Sequence, residues 1–133
     1  MNLIGATELH TRGYGLACHL GVLLGIPTVG VGKEYFCVKD IPLTQKTARV
    51  KGKEHNKKKG DWMPLQGKSG RIWGAALQGT EKGTNPIYVS VGHNISLNTA
   101  AELVTRCCLH RIPEPVRLAD LRSRDYLKDH GYN

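Results

Sequence analysis

A lysine and an aspartate stand where each could take part in chemistry. Lys33 follows the short β-branched segment TVGV at residues 28–31, and the ends of strands in open α/β sheets are where ligand-binding groups collect. The alternative is a strand-terminal lysine whose ammonium group simply extends into solvent. Asp120 could bind a hard metal ion through oxygen, or form an ion pair with Arg117 or Arg124. Neither residue decides a function alone.

Two histidines are weaker candidates. His93 follows the strand-like segment PIYVSVG, and His19 lies within an apolar helical segment. Histidines in such places more often make structural hydrogen bonds than bind ligands. The sequence contains no GxGxxG, P-loop, GxSxG or HExxH pattern. Nucleotide-cofactor enzymes, kinases, serine hydrolases and zinc proteases therefore have no motif support.

The charge balance favours a polyanionic partner. Nineteen Lys and Arg against eleven Asp and Glu give a formal charge of +8, which suits nucleic acid but is also compatible with a charge that only confers solubility. The basic run RVKGKEHNKKK at residues 49–59 has no apolar periodicity, so it predicts a solvated loop over residues 49–60. Lys57, Lys58 and Lys59 are candidate contacts to a nucleic-acid backbone, or a mobile surface charge.

Apolar periodicity predicts the elements that must position these residues. Helical spacing predicts a buried helix over residues 14–24, and Ser96 is suited to cap a second helix whose buried face includes Leu103 and Cys107. The strands are predicted from β-rich runs between turn residues, and a short helical stretch closes the chain. The predicted strands cover residues 28–31, 71–77 and 86–92, and the last helical stretch lies within residues 111–124.

The chain is predicted to form one domain over residues 1–133, since this length supports a single core and shows no internal repeat. It contains no apolar stretch long enough to span a bilayer and no signal peptide, so no membrane partner is expected. Its cysteines, which lack zinc-like spacing, are predicted to be reduced packing residues; they are Cys18, Cys37, Cys107 and Cys108. A cytoplasmic protein, or a nuclear or nucleolar one, is expected.

Three segments, in order and at suitable spacing, resemble the C-terminal portion of the endonuclease V family. They are HTRGYGLACHLGVLLGIPTVGVGK at residues 10–33, PIYVSVGHNISLNTAAELV at residues 86–104 and RIPEPVRLAD at residues 111–120. The resemblance extends from about Leu9 to Arg124. It implies an α/β fold with a ribonuclease-H-like mixed sheet and flanking helices, without the N-terminal strands of the full family domain.

The resemblance also implies a function. It implies a nuclease that uses Mg²⁺ or Mn²⁺ to cleave a phosphodiester near inosine in single-stranded RNA or DNA. Lys33 matches the family's active-site lysine, and Asp120 matches its last acidic metal ligand. Gly30 matches a backbone position of the base-binding pocket, and Phe36 stands where the family usually has an aliphatic pocket residue. His93 and His19 match supporting positions near the site.

The chain departs from the family pattern at its N-terminal end. Ile4 stands where the family has a metal-binding aspartate, and Glu8 is the only acid before Lys33. Three hypotheses therefore stand: a shortened or variant endonuclease, a noncatalytic binder of inosine-containing RNA, or a truncated product from an alternative start. An exposed sheet edge and exposed apolar helix faces are also expected, covered by a second copy or another partner.

Overall fold

The computed structural model describes residues 16–35, 38–81 and 85–131. These residues form four strands and four helices. In chain order the elements are α1 (Leu16–Leu24), β1 (Thr28–Gly32), α2 (Gln45–His55), β2 (Trp62–Gln66), β3 (Ile72–Leu77), β4 (Ile87–His93), α3 (Leu97–Cys107) and α4 (Glu114–Asp129). The α/β class predicted from the sequence is confirmed.

The strands form one sheet in the order β1-β4-β3-β2. All three pairings are antiparallel, so the part of the chain that the structure describes has no parallel pairing of the kind that a mixed sheet contains. In the β1–β4 pair, Gly30 lies opposite Ser90 and Val31 opposite Val89. This register places the end of β1, where Lys33 follows, beside the beginning of β4.

Two small apolar cores cover the two faces of the sheet, because successive side chains along a strand point to opposite faces. The first core joins α2 to the Tyr88 and Ala76 face, and the second joins α3 to the Val89 and Ile87 face. The first contains Tyr35, Val38, Ile41, Ala48, Leu65, Ala76 and Tyr88; the second contains Val31, Leu77, Ile87, Val89, Ala100, Val104 and Cys108. The sheet is therefore a central layer with α2 and α3 on opposite sides.

The predicted loop over residues 49–60 is wrong as far as His55, because this stretch belongs to helix α2. Thr44 begins the helix with a capping box: its hydroxyl accepts from the Thr47 amide, and its own amide donates to the Thr47 hydroxyl. Only Ala48 and Gly52 are buried, so the apolar face is too narrow to give periodicity in the sequence. The basic side chains occupy the solvent-facing surface of the helix.

Strand β2 was also missed, because no strand was predicted between residues 31 and 71. Pro64 lies within β2, and this is an edge strand, where the missing amide costs no ladder bond. The other strands and α1 agree with the predicted ranges to within two residues, while α4 extends further, to Asp129. Ser96 caps α3 as predicted, by accepting from the Thr99 amide. The predicted buried face is wrong at Leu103, which is 50% exposed, because α3 packs on the sheet through Ala100, Ala101 and Val104.

Helices α1 and α4 leave apolar side chains exposed. Leu23 of α1 is 69% exposed and Tyr126 of α4 is 60% exposed, and α4 has no buried residue. The expectation of exposed apolar helix faces is confirmed for these two helices. The prediction of a buried helix over residues 14–24 is wrong for the leucines of α1, because the helix packs on the sheet through Ala17, Cys18 and Gly21. None of the helices in the described ranges has the length and apolar character needed to cross a membrane.

The cysteines within the described residues are thiols that take no part in a disulfide, in agreement with the prediction. Cys18 and Cys108 are buried and Cys107 is half-buried, whereas Cys37 lies outside the described residues. Burial raises the pKa of the Cys108 thiol to about 11, because desolvation disfavours the thiolate. Cys108 is therefore a packing residue at neutral pH.

Candidate active site and its basic cavity

Lys33 stands directly after β1, at the position predicted from the sequence. Its side chain is exposed, while its backbone carbonyl accepts a hydrogen bond from Nη2 of Arg111 at 2.8 Å. The contact joins residues 78 positions apart. The backbone of the candidate catalytic lysine is thus fixed by a side chain from the other end of the chain.

Arg111 is the residue that organises this end of the sheet, and the sequence analysis did not identify it. Besides Lys33, its guanidinium donates through Nε to the carbonyl of Asn85 at 2.9 Å and through Nη2 to that of Pro86 at 3.2 Å. Desolvation lowers the pKa of Arg111, but arginine remains charged at any physiological pH. One cation therefore joins the end of β1, the approach to β4 and the segment before α4.

A cavity of about 220 Å³ opens beside Arg111 and Lys33. Its lining is mostly polar and carries three cations against one carboxylate; the lining residues are Lys33, Glu34, Tyr35, Gln45, Arg49, Asn85, Pro86, Tyr88 and Arg111. Desolvation raises the pKa of the Tyr88 hydroxyl, and the nearby charges of Arg111 and Arg49 partly oppose that shift. The hydroxyl is therefore neutral at pH 7, and the cavity carries a net positive charge.

The two residues predicted to bind the base have different outcomes. Gly30 is buried in the middle of β1, opposite Ser90 of β4, and does not line the cavity. Phe36 lies outside the described residues, as do Ile4 and Glu8. Their predicted roles stay predictions.

Of the two histidines predicted to support the site, His19 lies in α1 and His93 lies beside this helix. His93 ends β4, and a Cβ added at Gly21 of α1 would come within 2.3 Å of its Cβ. Glycine at this position therefore lets α1 approach the sheet closely at His93. His19 is an exposed residue of α1. Neither histidine lines the cavity beside Lys33.

Helix α4 carries Asp120 on a half-exposed face, where its carboxylate pairs with Arg124 at 3.0 Å. Arg117, the other predicted partner, instead forms two hydrogen bonds with Glu114, both of 2.8 Å. Among the described residues, neither a hydrogen bond nor an ion pair joins Asp120 to Lys33. The structure thus supports the ion-pair alternative for Asp120, and its metal role stays a prediction.

The described part of the chain does not supply a metal centre by itself. No group of three or more His, Cys, Asp or Glu side chains in it is arranged to hold a metal ion. A hard divalent cation needs several fixed oxygen ligands, and Asp120 offers one carboxylate that is already paired. The donor set of the described residues therefore does not fit Mg²⁺ or Mn²⁺.

The three lysines predicted to contact a nucleic-acid backbone follow α2 and do not behave alike. The ammonium group of Lys59 donates to the carbonyl of Cys108 at 3.0 Å, which ties it to the end of α3. Lys57 and Lys58 have exposed side chains, and their backbone amides donate to the Asp61 carboxylate. Lys57 and Lys58 are the better candidates for contacts with phosphate.

The chain is an α/β domain with an exposed lysine after β1 and a basic cavity beside it, and comparison with known proteins gives its family. The family model for endonuclease V matches residues 4–121. The chain is 46% identical to mouse endonuclease V over 134 aligned positions, which cover 93% of this chain and 36% of the mouse protein. The chain belongs to the endonuclease V family.

Solved structures of the family agree with this fold. Human endonuclease V superimposes with a TM-score of 0.87 at 43% identity, over 96% of this chain and 52% of the human one. Endonuclease V of Ciona intestinalis, bound to a DNA that contains an inosine followed by a ribo-adenosine, gives a TM-score of 0.84 at 34% identity, over 94% and 53% of the two chains. The chain spans about half the length of these solved relatives.

Proposed function

We propose that this chain acts in cleavage of a phosphodiester near inosine in single-stranded RNA or DNA. The observation that carries the proposal is the superposition on an endonuclease V bound to inosine-containing DNA, which extends over 94% of this chain. Lys33 supports it from the site itself, because an exposed lysine held at a strand end can stabilise charge that develops on a phosphate. Gly30 and Phe36 are the proposed contacts to the base.

The proposed role of Asp120 is that of a ligand for Mg²⁺ or Mn²⁺, as the family implies. Since the described residues do not offer a complete set of ligands, further oxygen ligands have to join Asp120 before a metal ion binds. Such an ion would lower the pKa of a bound water and so would supply a hydroxide nucleophile near neutral pH. Lys33 needs no metal for its own part, which is electrostatic.

A noncatalytic binder of inosine-containing RNA is the second candidate function. It is favoured by one specific observation: the cations around the cavity are in place, whereas a cluster of metal-ligating side chains is not present among the described residues. Lys57 and Lys58 would extend the basic surface in either case.

A cleavage assay with a matched carboxylate control separates the two functions. The chain is incubated with an end-labelled single-stranded RNA that contains one inosine, with Mg²⁺ or Mn²⁺, and with the same RNA carrying guanosine instead. Asp120→Asn is compared with Glu102→Gln, because Glu102 also pairs with an arginine four residues further along an exposed helix face. We expect inosine-dependent cleavage that Asp120→Asn abolishes and Glu102→Gln preserves.

The other outcomes are equally informative. Retention of the inosine RNA without cleavage at any metal concentration would support the binder and exclude the nuclease. Equal binding of the inosine and guanosine RNAs without cleavage would exclude both. Equal loss of cleavage in the two variants would show that Asp120 has no special part in it.

A further inference from the structure

The cavity beside Lys33 has a charge pattern that the proposed cleavage does not use. Arg49 reaches it from α2, and Arg111 from the segment between α3 and α4. Glu34 is the one carboxylate in the lining, and one of its oxygens already accepts from Nε2 of Gln45 at 3.1 Å. The cavity is thus positive and suited to an anion.

Arg111 presents its charge in a fixed geometry. Its Nε and Nη2 are held by three backbone carbonyls, while Nη1 makes no hydrogen bond with any of the described residues. A guanidinium that is already held in place loses little entropy on binding a further oxygen anion, and its planar shape suits phosphate. Arg49 is exposed on α2 and supplies a second, more mobile guanidinium.

The aromatic residues of the cavity exclude recognition of a base by stacking. The side chains of Tyr35 and Tyr88 are 3% and 4% exposed, and their rings pack against each other with centroids 5.8 Å apart. Stacking platforms for single strands need an exposed ring face, which neither tyrosine offers. The volume of about 220 Å³ is also below the range of about 300–1,000 Å³ that is typical of drug-sized ligands. Both features favour a small anionic group.

We propose that Arg49 and Arg111 bind a backbone phosphate of the substrate strand in this cavity, next to the nucleotide that Lys33 contacts. The assignment rests on the proposed function, since it takes the ligand to be a nucleic-acid strand. A phosphate held there would fix the register of the strand relative to Lys33 without reading its sequence.

Salt-dependent binding of the full chain tests this assignment. A fluorescent single-stranded RNA with one inosine is titrated at several salt concentrations without divalent metal, using the wild type, Arg49→Ala and Lys53→Ala. Lys53 is the matched control because it is exposed on the same face of α2, one turn beyond Arg49, and does not line the cavity. For Arg49→Ala we expect about tenfold weaker binding at low salt and a salt slope smaller by about 0.7, as for one lost phosphate contact on a single strand.

Neutralisation of Glu34 gives a second, independent test of the phosphate site. Glu34→Gln removes the carboxylate that opposes the phosphate, so binding should tighten by about twofold. Arg49→Ala with an unchanged slope, or a Lys53→Ala effect of equal size, would overturn the assignment, because the basic surface would then act as a whole. A mononucleotide that binds as tightly as the RNA and loses affinity in Arg49→Ala would assign the cavity to a free nucleotide instead.

Failure of the proposed function gives a different pattern. If the wild type binds inosine and guanosine RNAs equally and cleaves neither, the inosine-directed function fails, yet a smaller slope in Arg49→Ala alone would still support the phosphate site. If inosine is preferred but Arg49→Ala keeps the wild-type slope, only the phosphate site fails. Circular dichroism of each variant confirms that it folds as the wild type does.

Discussion

Replacement of Arg111 by alanine should destabilise the chain far more than the loss of an ordinary surface arginine. The substitution removes three hydrogen bonds from a charged donor to the carbonyls of Lys33, Asn85 and Pro86. A hydrogen bond of this kind contributes about 1.5–3 kcal/mol. The carbonyls of Lys33 and Asn85 belong to exposed residues and can be rehydrated, so we expect a total loss of about 2–4 kcal/mol rather than three full contributions.

Urea unfolding followed by circular dichroism measures this loss, with Arg106→Ala as the control. Arg106 pairs with Glu102 at 2.7 Å on the exposed face of α3, and such a pair contributes at most about 1 kcal/mol. Arg111→Lys keeps the charge, but a single ammonium group cannot reproduce the planar fork, so most of the loss should remain. Equal effects of Arg111→Ala and Arg106→Ala would refute this reasoning, and a lysine variant as stable as the wild type would show that charge alone matters.

Two further predictions concern a loop carboxylate that contacts the sheet and a glycine within the sheet. Hydrogen bonds from Ser69 and Trp73 hold the pKa of Asp40 below its ordinary value of 3.8. The ionised carboxylate therefore stabilises the fold above about pH 4, and this contribution is lost as the pH falls through the folded-state pKa. Asp40→Asn should therefore give a flatter dependence of the melting temperature on pH in acid, and an unchanged profile would contradict it. In Gly92→Ala the new Cβ would lie 2.7 Å from the carbonyl oxygen of Thr28, so thermal unfolding should show a loss of about 1–3 kcal/mol; an unaltered melting temperature would mean that β1 and β4 can separate there.

The sequence alone was sufficient to predict the helices and strands that have a broad apolar pattern. Strands β3 and β4 and helix α3 carry such patterns; the two strand ranges agree closely with the prediction, and α3 begins at the predicted cap. Helix α2 was missed because its contact with the sheet uses only Ala48 and Gly52, and its beginning depends on a capping box between two threonines. A basic helix with so narrow a buried face is hard to distinguish from a charged loop by periodicity.

For the candidate site, the sequence predicted correctly that Lys33 follows a strand, but it gave no indication of the residue that contacts it. Lys33 stands out because it ends an apolar strand, a local feature. Arg111 is held at the site by its carbonyl partners, which are 25 to 78 positions away, and no local pattern encodes them. Its one sequence signal is its place at the start of the segment RIPEPVRLAD, which resembles the family.

Arg111 also affects how precisely Asp120 can be placed relative to Lys33. Helix α4 begins three residues after Arg111, at Glu114, and Asp120 lies six residues further on, about 9 Å along the helix axis. No residue of α4 is buried, so within the described residues this helix is held mainly at its N-terminal end, next to the segment that Arg111 fixes. Catalytic groups need placement to within about 0.5 Å, which a helix held at one end does not provide. Binding at the basic cavity is therefore independent of α4, whereas any chemistry that uses Asp120 requires further contacts along the exposed apolar side chains of α4.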